Sequence, residues 1–345
     1  MRVGVVGAGA IATKAHIPAL SSLEGVEVAG LADADLSKAN ALAKKYKIAK
    51  TYKDYKDLLR EEIDIVIICA PSSLHARIAV DALVEGKHVL VEKPLAMTVS
   101  EADQIRDQAK NTKLKVGVVF NYRYYPAVSM ALAKIREGRV GHVTSIVGVS
   151  HTRPPMMGWA PSAWFYSEGG VIDDFGPHLF DLTTLIANSD PLRVTAVGRD
   201  MAGSMGCVNQ AQVFTEFKNG ISAMSDVSWM VGTRRVNSTI YGTGGDMFLD
   251  VICNFTRETH GEVTPMDDLR YLLGRSSSIT KLARSGRLFF GALYYHRTLI
   301  QEFIASIERN QPPSPGLDDG VRVVQICQAA RISAAEGRCV SIDDL

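Results

Sequence analysis

The stretch Arg2-Val3-Gly4-Val5-Val6-Gly7-Ala8-Gly9-Ala10-Ile11-Ala12 decides the fold of this chain. Its first five residues predict a buried parallel strand, and the GxGxxA spacing follows at once. Gly7 makes the tight turn, Gly9 lets backbone approach a pyrophosphate, and Ala12 permits close packing of the next helix. We therefore predict a dinucleotide site with contacts from Gly7, Gly9, Ala10 and Ile11. A glycine-rich turn without a ligand is the alternative.

The second predicted strand, 26–31, identifies the cofactor. It ends at Asp33, about twenty residues beyond the glycines, where a carboxylate meets the adenosine ribose hydroxyls. A carboxylate at this place repels a 2′-phosphate, and Ala34 follows it instead of an arginine, so NAD is favoured over NADP. Lys38 is a nearby cation, so NADP remains the alternative cofactor. Asp33 is also a candidate N-cap for helix 36–46, and the two roles are compatible.

Two further apolar strands end in polar turns. Strand 63–69 runs into Ala70-Pro71-Ser72-Ser73-Leu74-His75, and the run 89–91 leads into Glu92-Lys93-Pro94. Ligands of open α/β sheets bind beyond the carboxyl ends of the strands. Cofactor contacts are therefore predicted from Ala70, Pro71, Ser72, His75, Glu92 and Lys93. Lys93 is also placed to reach a substrate, and a strand-ending surface lysine is the alternative.

The segments between these strands complete an alternating pattern. Ser72 is a candidate helix cap, and His75 at a helix start is as often a cap or a surface group as a cofactor contact. The capping box Ser100-Glu101-Ala102-Asp103 opens another helix, and strand 115–120 follows it. Strands alternating with helices predict an α/β fold with a doubly wound parallel sheet.

Composition excludes several classes of protein. The chain has 345 residues, of which 46% are hydrophobic and 22% charged, enough for about two domains. Its net charge of +1 without a basic run predicts no nucleic-acid partner. Five scattered cysteines without a CxxC pair argue against a disulfide framework or a metal site and favour a reducing cytoplasm. No signal peptide or membrane span is expected, because Met1 leads directly into a strand and no apolar run is long enough.

The pattern changes after about residue 122. A helix at 127–137 ends at Gly138, and strand 143–150 follows. Strands 208–218 and 221–229 flank Asn219-Gly220, the strongest short hairpin signal, and another strand pair flanks Gly242-Thr243-Gly244-Gly245. This is a meander and not a further set of βαβ units.

Four motifs in this order resemble the glucose-fructose oxidoreductase and inositol dehydrogenase (Gfo/Idh/MocA) family over nearly the whole chain. They are Gly7-Ala8-Gly9, Ala70-Pro71-Ser72-Ser73-Leu74-His75, the stretch 86–94 ending in Glu92-Lys93-Pro94, and Asn121-Tyr122-Arg123-Tyr124-Tyr125-Pro126. The resemblance implies a Rossmann domain at 1–122 and a C-terminal α/β domain at 123–345. The second domain would carry a large, mostly antiparallel, open-faced sheet that binds substrate and forms a homodimer or homotetramer.

The second informative stretch runs from Glu168 to Asp181. Pro177 is tolerated only in the first turn of a helix, so the helix is predicted to open near Asp174 with that side chain as its cap. Asp174, His178 and Asp181 then share one face. A histidine beside a carboxylate suits general acid/base catalysis, because the acid orients the ring and stabilises its charged form. A capping aspartate plus a core histidine is the equal alternative from the residues alone.

The resemblance shifts that balance. Asp174 and His178 match the family's Asp-x-x-x-His pair, which with the Glu-Lys-Pro lysine, here Lys93, forms the catalytic group. The chain departs from the family at Glu168, where a glycine is usual, and at Phe165, where an arginine often stands. The difference at Glu168 puts the geometry of the substrate loop in doubt. The difference at Phe165 removes a possible phosphate contact and so favours NAD over NADP.

The predicted activity is oxidation of a secondary alcohol on a sugar, sugar derivative or cyclitol, with His178 as the base. Asn121 at the domain junction is a predicted cofactor contact, and Arg123, Arg153 and Trp164 are predicted substrate contacts beside Lys93, Asp174 and His178. Trp159 is left open between core and pocket. The alternatives are an NADP-dependent keto- or aldehydo-sugar reductase and a non-catalytic sensor of cofactor and sugar with the same fold.

The C-terminal third is predicted mainly as scaffold. Segment 254–290 lacks strand alternation and carries basic residues among leucines, which favours a subunit or intramolecular contact over a membrane surface. Tyr294, Tyr295 and His296 are placed at the start of a helix that runs to Ile307, where packing is favoured over a pocket role. A helix over 318–336, a stop at Gly337 and a short strand 340–342 end the chain.

Overall fold

The computed structural model describes residues 1–152, 169–203, 205–261, 269, 272–274, 276–277, 280 and 287–345. These residues form two compact units: Met1–Asn121 with Ala292–Val324, and Tyr122–Gly291 with Gln325–Leu345. The first unit therefore also takes in residues 292–324, which the sequence had assigned to the second domain.

The first unit is built on a six-stranded parallel sheet in the order β3-β2-β1-β4-β5-β6. Its strands are β1 (Arg2–Val6), β2 (Glu27–Ala32), β3 (Thr51–Tyr52), β4 (Ile65–Ile68), β5 (His88–Val91) and β6 (Val116–Val118). The chain proceeds outward from β1 in one direction and from β4 in the other. This reversal confirms the doubly wound sheet and places the ligand crevice at the carboxyl ends of β1 and β4.

Helices of the first unit connect its strands. They are the π-helical turn Ala12–His16 continued by Ile17–Leu20, then Leu36–Tyr46, Tyr55–Leu59, the 3₁₀ turn Ser72–Leu74, His75–Val84 and Val99–Lys110. Most of the strand side chains between them are buried, as at Val3, Ile67 and Val89. Continuous apolar strands of this kind are typical of parallel sheets that are covered on both faces.

Three predicted caps were wrong. Asp35, not Asp33, caps helix Leu36–Tyr46 by accepting a hydrogen bond from the Ser37 amide. The capping box of helix Val99–Lys110 joins Thr98 and Glu101, two residues before the predicted start. The Ser72 side chain makes no cap hydrogen bond at its turn, where the Leu74 amide donates to the Pro71 carbonyl.

The second unit contains an eight-stranded sheet in the order β13-β12-β11-β7-β10-β9-β8-β14. Its strands are β7 (Val143–His151), β8 (Pro191–Arg199), β9 (Gln210–Phe217), β10 (Ser222–Ser228), β11 (Arg235–Gly242), β12 (Gly245–Asp250), β13 (Phe255–Thr259) and β14 (Val340–Ser341). All neighbours are antiparallel except β7 and β10, which run parallel. The mostly antiparallel sheet is confirmed.

Both predicted hairpins are present. Gly220 has a φ of +86° in the turn between β9 and β10, a left-handed conformation that favours glycine. The β11–β12 hairpin closes at the pair Gly242 and Gly245.

The described helices of the second unit are the 3₁₀ turn Asn121–Tyr124, which crosses the unit boundary, and then Pro126–Arg136, Val171–Asp174 and Gly176–Ala187. Helices Arg287–Glu308 and Leu317–Glu336 each cross the boundary between the units, and the 3₁₀ turn Ile342–Asp344 ends the chain. Helices and one sheet face enclose a core that includes Val128, Ile146, Leu182 and Ile240.

Two predictions for the C-terminal third were wrong. Segment 254–290 contains the strand β13, whose side chains are all half-buried at the sheet edge and so show no alternation. Helix Arg287–Glu308 begins before Tyr294, so Tyr294, Tyr295 and His296 lie inside it and not at its start. Among the described residues, no helix is long and apolar enough to cross a bilayer.

Candidate active site

The glycine loop after β1 has the shape that a dinucleotide needs. Gly7 has a φ of +100°, and a Cβ there would lie 2.5 Å from the Cys69 carbonyl oxygen, so only glycine fits. Gly9 is the opposite case, because a Cβ on it would meet no atom within 4 Å. The space above Gly9 is therefore open for a phosphate to approach the backbone. The predicted contacts Gly7, Gly9, Ala10 and Ile11 all lie in this loop and the turn that follows it.

Asp33 stands at the end of β2 and is joined to the glycine loop. One carboxylate oxygen accepts a hydrogen bond from the Ala8 amide at 2.7 Å, and the other accepts from the Asp35 amide at 2.8 Å. These bonds fix the carboxylate beside the loop that would hold the pyrophosphate. A fixed negative charge at this place accepts ribose hydroxyls and repels a 2′-phosphate.

The turn after β4 is tied to the turn after β5 through His75. The His75 ring is buried, with Nδ1 2.6 Å from the Pro94 carbonyl oxygen and Nε2 2.9 Å from the Ala70 carbonyl oxygen. Burial lowers the pKa of His75. The predicted alternative of a surface group at His75 was therefore wrong, because the ring is buried and joins the Ala70 turn to the turn at Pro94. Ser72 is buried as well.

Glu92 lies at the centre of a buried polar cluster in the first unit. Its Oε1 lies 2.6 Å from His16 Nε2 and 3.8 Å from His296 Nε2, and its Oε2 accepts a hydrogen bond from the Lys93 amide at 3.3 Å. Burial raises the pKa of Glu92, but the hydrogen bonds from His16 and His296 outweigh burial and hold it well below its ordinary value. Burial lowers the pKa of His16.

The same three side chains offer two imidazole nitrogens and a carboxylate oxygen within 4.8 Å of one another. Such a set is typical of zinc ligands, but 2.6 Å is the length of a charge-assisted hydrogen bond, shorter than the separation of two atoms that share one zinc ion. We interpret the cluster as a carboxylate that accepts hydrogen bonds from N–H groups.

Lys93 and Asn121 follow the ends of β5 and β6. Lys93 is half-buried, and its backbone amide is held by Glu92. Asn121 is buried, and its Oδ1 has no hydrogen-bond partner among the described residues. A buried carbonyl oxygen of this kind favours a ligand with a donor, such as a carboxamide or a hydroxyl.

In the second unit, Asp174 and His178 lie on either side of a break between two helices. Asp174 is the last residue of Val171–Asp174, and His178 lies in the first turn of Gly176–Ala187. The second helix thus begins near Asp174, two residues after it, but Phe175 and not Asp174 occupies its N-cap position, so the predicted capping role was wrong. Pro177 does lie in the first turn, as predicted. The break leaves both side chains half-buried.

Neighbouring aromatic residues fix both side chains. Trp229, fully buried after β10, donates its indole N–H to Asp174 Oδ2 at 3.3 Å. The His178 ring stacks on Tyr122, with centroids 4.4 Å apart and an interplanar angle of 20°. Burial raises the pKa of Tyr122 to about 12, so this ring stays neutral against the imidazole. An imidazole and a carboxylate one turn apart, each held by an aromatic neighbour, are suited to accept and donate a proton.

The turn before these helices allows only glycine. Gly170 has a φ of +65°, and a Cβ on it would lie 2.1 Å from the Val208 carbonyl oxygen, which already accepts the Val171 amide. Asp173 forms a buried ion pair with Arg331. The turn and the ion pair hold the residues immediately before Asp174.

Arg123 and Asp181 form an ion pair. The Arg123 Nε and Nη2 atoms both contact the Asp181 carboxylate, at 2.9 Å and 2.5 Å, and both side chains are buried. Asp181, the third residue of the helix face predicted with Asp174 and His178, thus binds Arg123. A substrate role for Arg123 stays a prediction, and the ion pair gives this side chain a structural role in addition.

The predicted contacts Arg153 and Trp164 lie outside the described residues, as do Trp159, Phe165 and Glu168.

Sequence reasoning missed three residues that shape the site: His16, Trp229 and Tyr122. His16 is the last residue of the π-helical turn after the glycine loop, and π-turns are frequent at functional sites. Trp229 ends a predicted strand, where a large aromatic residue is typical of the hydrophobic core. Tyr122 stands in a quoted motif, and only the tertiary structure brings it to His178.

Comparison with known proteins agrees with this fold. Residues 1–120 match the model of an oxidoreductase family with an NAD-binding Rossmann fold, and residues 128–248 match the GFO/IDH/MocA C-terminal domain. Inositol 2-dehydrogenase of Rhizobium meliloti is 27% identical over 354 residues, covering 99% of both chains. Myo-inositol 2-dehydrogenase of Thermotoga maritima is 24% identical over 358 residues, covering 100% of this chain and 99% of that protein. A solved levoglucosan dehydrogenase in complex with NADH superposes with a TM-score of 0.80 at 21% identity over 99% of both chains.

Proposed function

Because this chain belongs to the Gfo/Idh/MocA family of NAD-binding oxidoreductases, we propose that it oxidises a secondary alcohol of a sugar, sugar derivative or cyclitol. The observation that carries the proposal is the Asp174–His178 pair on its broken helix, held by Trp229 and Tyr122. Relatives named as inositol 2-dehydrogenases that align over nearly the whole chain support a ring alcohol as substrate.

Three side chains carry the proposed chemistry. His178 accepts the hydroxyl proton, and Asp174 stabilises the imidazolium that results. Lys93 donates a hydrogen bond to the same oxygen and stabilises the negative charge that develops on it. Bound NAD⁺ supplies the hydride acceptor. The protein's part is to hold the alcohol carbon within about 3 to 3.5 Å of that acceptor and to move the proton.

NAD is the expected cofactor over NADP. Both oxygens of Asp33 already accept backbone amides, so the carboxylate cannot turn away from an incoming 2′-phosphate without losing two hydrogen bonds. Lys38, the nearby cation that left NADP open, is exposed and forms an ion pair with Asp35. An NADP-dependent reductase of a keto or aldehydo sugar is the second candidate, and the same assay separates the two.

Absorbance at 340 nm tests the proposal. The protein is mixed with NAD⁺ and a panel of inositols, aldoses, anhydrosugars and sugar acids, and in parallel with NADH or NADPH and the matching ketoses. NADH formation with at least one ring alcohol is the expected result. Tight NADH binding without turnover on any member of the panel would instead favour the non-catalytic sensor. Faster oxidation of NADPH than of NADH would favour the reductase.

A further inference from the structure

The first unit contains a charged group that the proposed mechanism does not use, the carboxylate of Glu92. We propose that Glu92 is a fixed negative charge that makes this protein bind NAD⁺ more tightly, relative to NADH, than the same fold without the charge. The two forms of the cofactor differ at the nicotinamide, which is cationic when oxidised and neutral when reduced. This inference rests on the proposed function, because it requires that the cofactor is NAD.

The strand order places Glu92 on the nicotinamide side of the crevice. The pyrophosphate loop follows β1, and Asp33, the ribose carboxylate of the adenosine half, follows β2. β2 lies on one side of β1, whereas β4 and then β5 lie on the other. A dinucleotide with its adenosine over β2 and its pyrophosphate at β1 must extend its other half over the ends of β4 and β5. Glu92 is the first residue after β5.

Hydrogen bonds keep this carboxylate ionised and fixed. Glu92 is only 7% exposed, yet it receives the short hydrogen bond from His16 and the Lys93 amide, with His296 near the same oxygen. Burial lowers the pKa of His16, so near neutral pH this imidazole donates to the carboxylate without cancelling its charge.

The Glu92 carboxylate belongs to a residue beside the end of β4, because β4 and β5 are neighbours and the Glu92 amide donates to the Ile68 carbonyl oxygen at 3.0 Å. The buried Cys69, the residue directly after β4, has a raised pKa because of its burial and because of the nearby charge of Glu92. A buried charge is screened less than an exposed one, so its influence extends across the neighbouring strand ends. The cationic form of the ring gains from this charge, and the neutral form does not.

The test compares dissociation constants for NAD⁺ and NADH, measured by titration calorimetry on the full chain at pH 8. Glu92→Gln removes the charge and keeps the shape. We expect the ratio Kd(NAD⁺)/Kd(NADH) to rise about tenfold, the size of a charge–charge term at an effective dielectric constant of about 20 to 40 and a separation of several ångström. Glu92→Asp retains the charge and should keep the ratio of the wild type. Glu85→Gln makes the same charge change at an exposed position and is the matched control.

His16→Gln separates charge from geometry. It replaces the imidazole of the short hydrogen bond by an amide and so changes the geometry around Glu92, but it leaves the carboxylate, so both affinities fall together and their ratio stays constant. If Glu92→Gln does not fold, the double variant His16→Gln/Glu92→Gln replaces it, because two amides can hydrogen-bond each other.

An unchanged ratio in folded Glu92→Gln overturns the inference and leaves the proposed function intact. A ratio that moves equally in His16→Gln also overturns it, because geometry would then be the cause. Wild-type protein that binds neither dinucleotide overturns the proposed function and this inference together.

Discussion

His178 and Asp174 are the single residues to which we assign the proposed proton transfer. Each side chain is half-buried and is positioned by an aromatic neighbour, His178 by the Tyr122 ring and Asp174 by the Trp229 indole. Neither aromatic residue needs to exchange a proton. In the proposed mechanism they reduce the freedom of His178 and Asp174, which lowers the entropy cost of reaching the reactive geometry.

Replacement of His178 by alanine tests the proton transfer. Turnover with the substrate identified on the panel should fall by roughly 10²- to 10⁴-fold, the range for loss of a general base, whereas the Kd for NADH should change less than about twofold. His142→Ala, at an exposed histidine of the same unit, is the control and should leave both quantities unchanged. Wild-type turnover in His178→Ala would remove this residue from the mechanism.

We expect Asp33 to select which dinucleotide is bound. Asp33→Asn removes the negative charge but retains a side-chain oxygen that can accept the Ala8 amide. The preference for NADH over NADPH, measured as the ratio of dissociation constants, should narrow by about tenfold because the repulsion of the 2′-phosphate is lost. Asp107→Asn makes the same charge change at an exposed position of helix Val99–Lys110 and should not change the preference. An unaltered preference in Asp33→Asn would show that another residue selects the cofactor.

At the scale of elements, the break between helices Val171–Asp174 and Gly176–Ala187 is the feature with most effect on the site. A continuous helix through this stretch would set Asp174 and His178 on one regular face. The break at Phe175, with Gly170 at the start and Pro177 in the first turn of the second helix, sets them at the end of one helix and the beginning of the next. The geometry of the pair therefore depends on the turn that precedes it.

Gly170→Ala tests that dependence. The added Cβ would lie 2.1 Å from a backbone oxygen on a residue with positive φ, so the free energy of unfolding should fall by about 3 kcal/mol or more. Gly220→Ala is a matched control, because its φ is also positive but its Cβ would meet no atom within 4 Å. Its cost should be about 1 kcal/mol. Urea unfolding measures both, and equal losses would mean that crowding at Val208 is relieved without cost.

At the scale of the whole molecule, one face of the eight-stranded sheet carries apolar side chains in contact with solvent. Val197, Phe214, Met224 and Tyr241 are 38–55% exposed on β8, β9, β10 and β11. Phe214 stands directly opposite Met224. The other face of the sheet is covered, as at Gly148, which packs against Leu179 of helix Gly176–Ala187. Contiguous exposed apolar side chains of this kind mark interaction surfaces, and we propose that a second copy of this chain covers them.

The double variant Phe214→Glu/Met224→Glu tests this proposal. Two carboxylates at the centre of the face should convert a dimer or tetramer to a monomer, because a like-charged pair cannot be desolvated at a symmetric interface. Size-exclusion chromatography with light scattering measures the mass. Leu36→Glu places the same charge at an exposed leucine of the first unit and should leave the mass unchanged. Wild-type protein that is already monomeric at micromolar concentration would contradict the proposal.

Much of the architecture could be predicted from the sequence because it depends on neighbours within a few residues. Apolar runs predicted the parallel strands, and Gly7 with Gly9 predicted the phosphate loop. The pair Asn219-Gly220 predicted the hairpin. The predicted caps at Asp33 and Ser100 failed because a second residue that can cap stands two positions away, Asp35 and Thr98 respectively. The predicted cap at Asp174 failed because that residue ends the preceding helix. The irregular edge strand β13 was missed because half-buried side chains on both faces produce no periodic signal.

The sequence by itself determined which residue types stand at the strand ends, since strand and turn signals are local. Only the tertiary structure decided what those residues contact. His16 meets Glu92 across 76 residues, Arg123 meets Asp181 across 58, and Trp229 meets Asp174 across 55. Contacts of such separation depend on how whole sheets and helices pack, and a short sequence pattern carries no information about a partner so far along the chain.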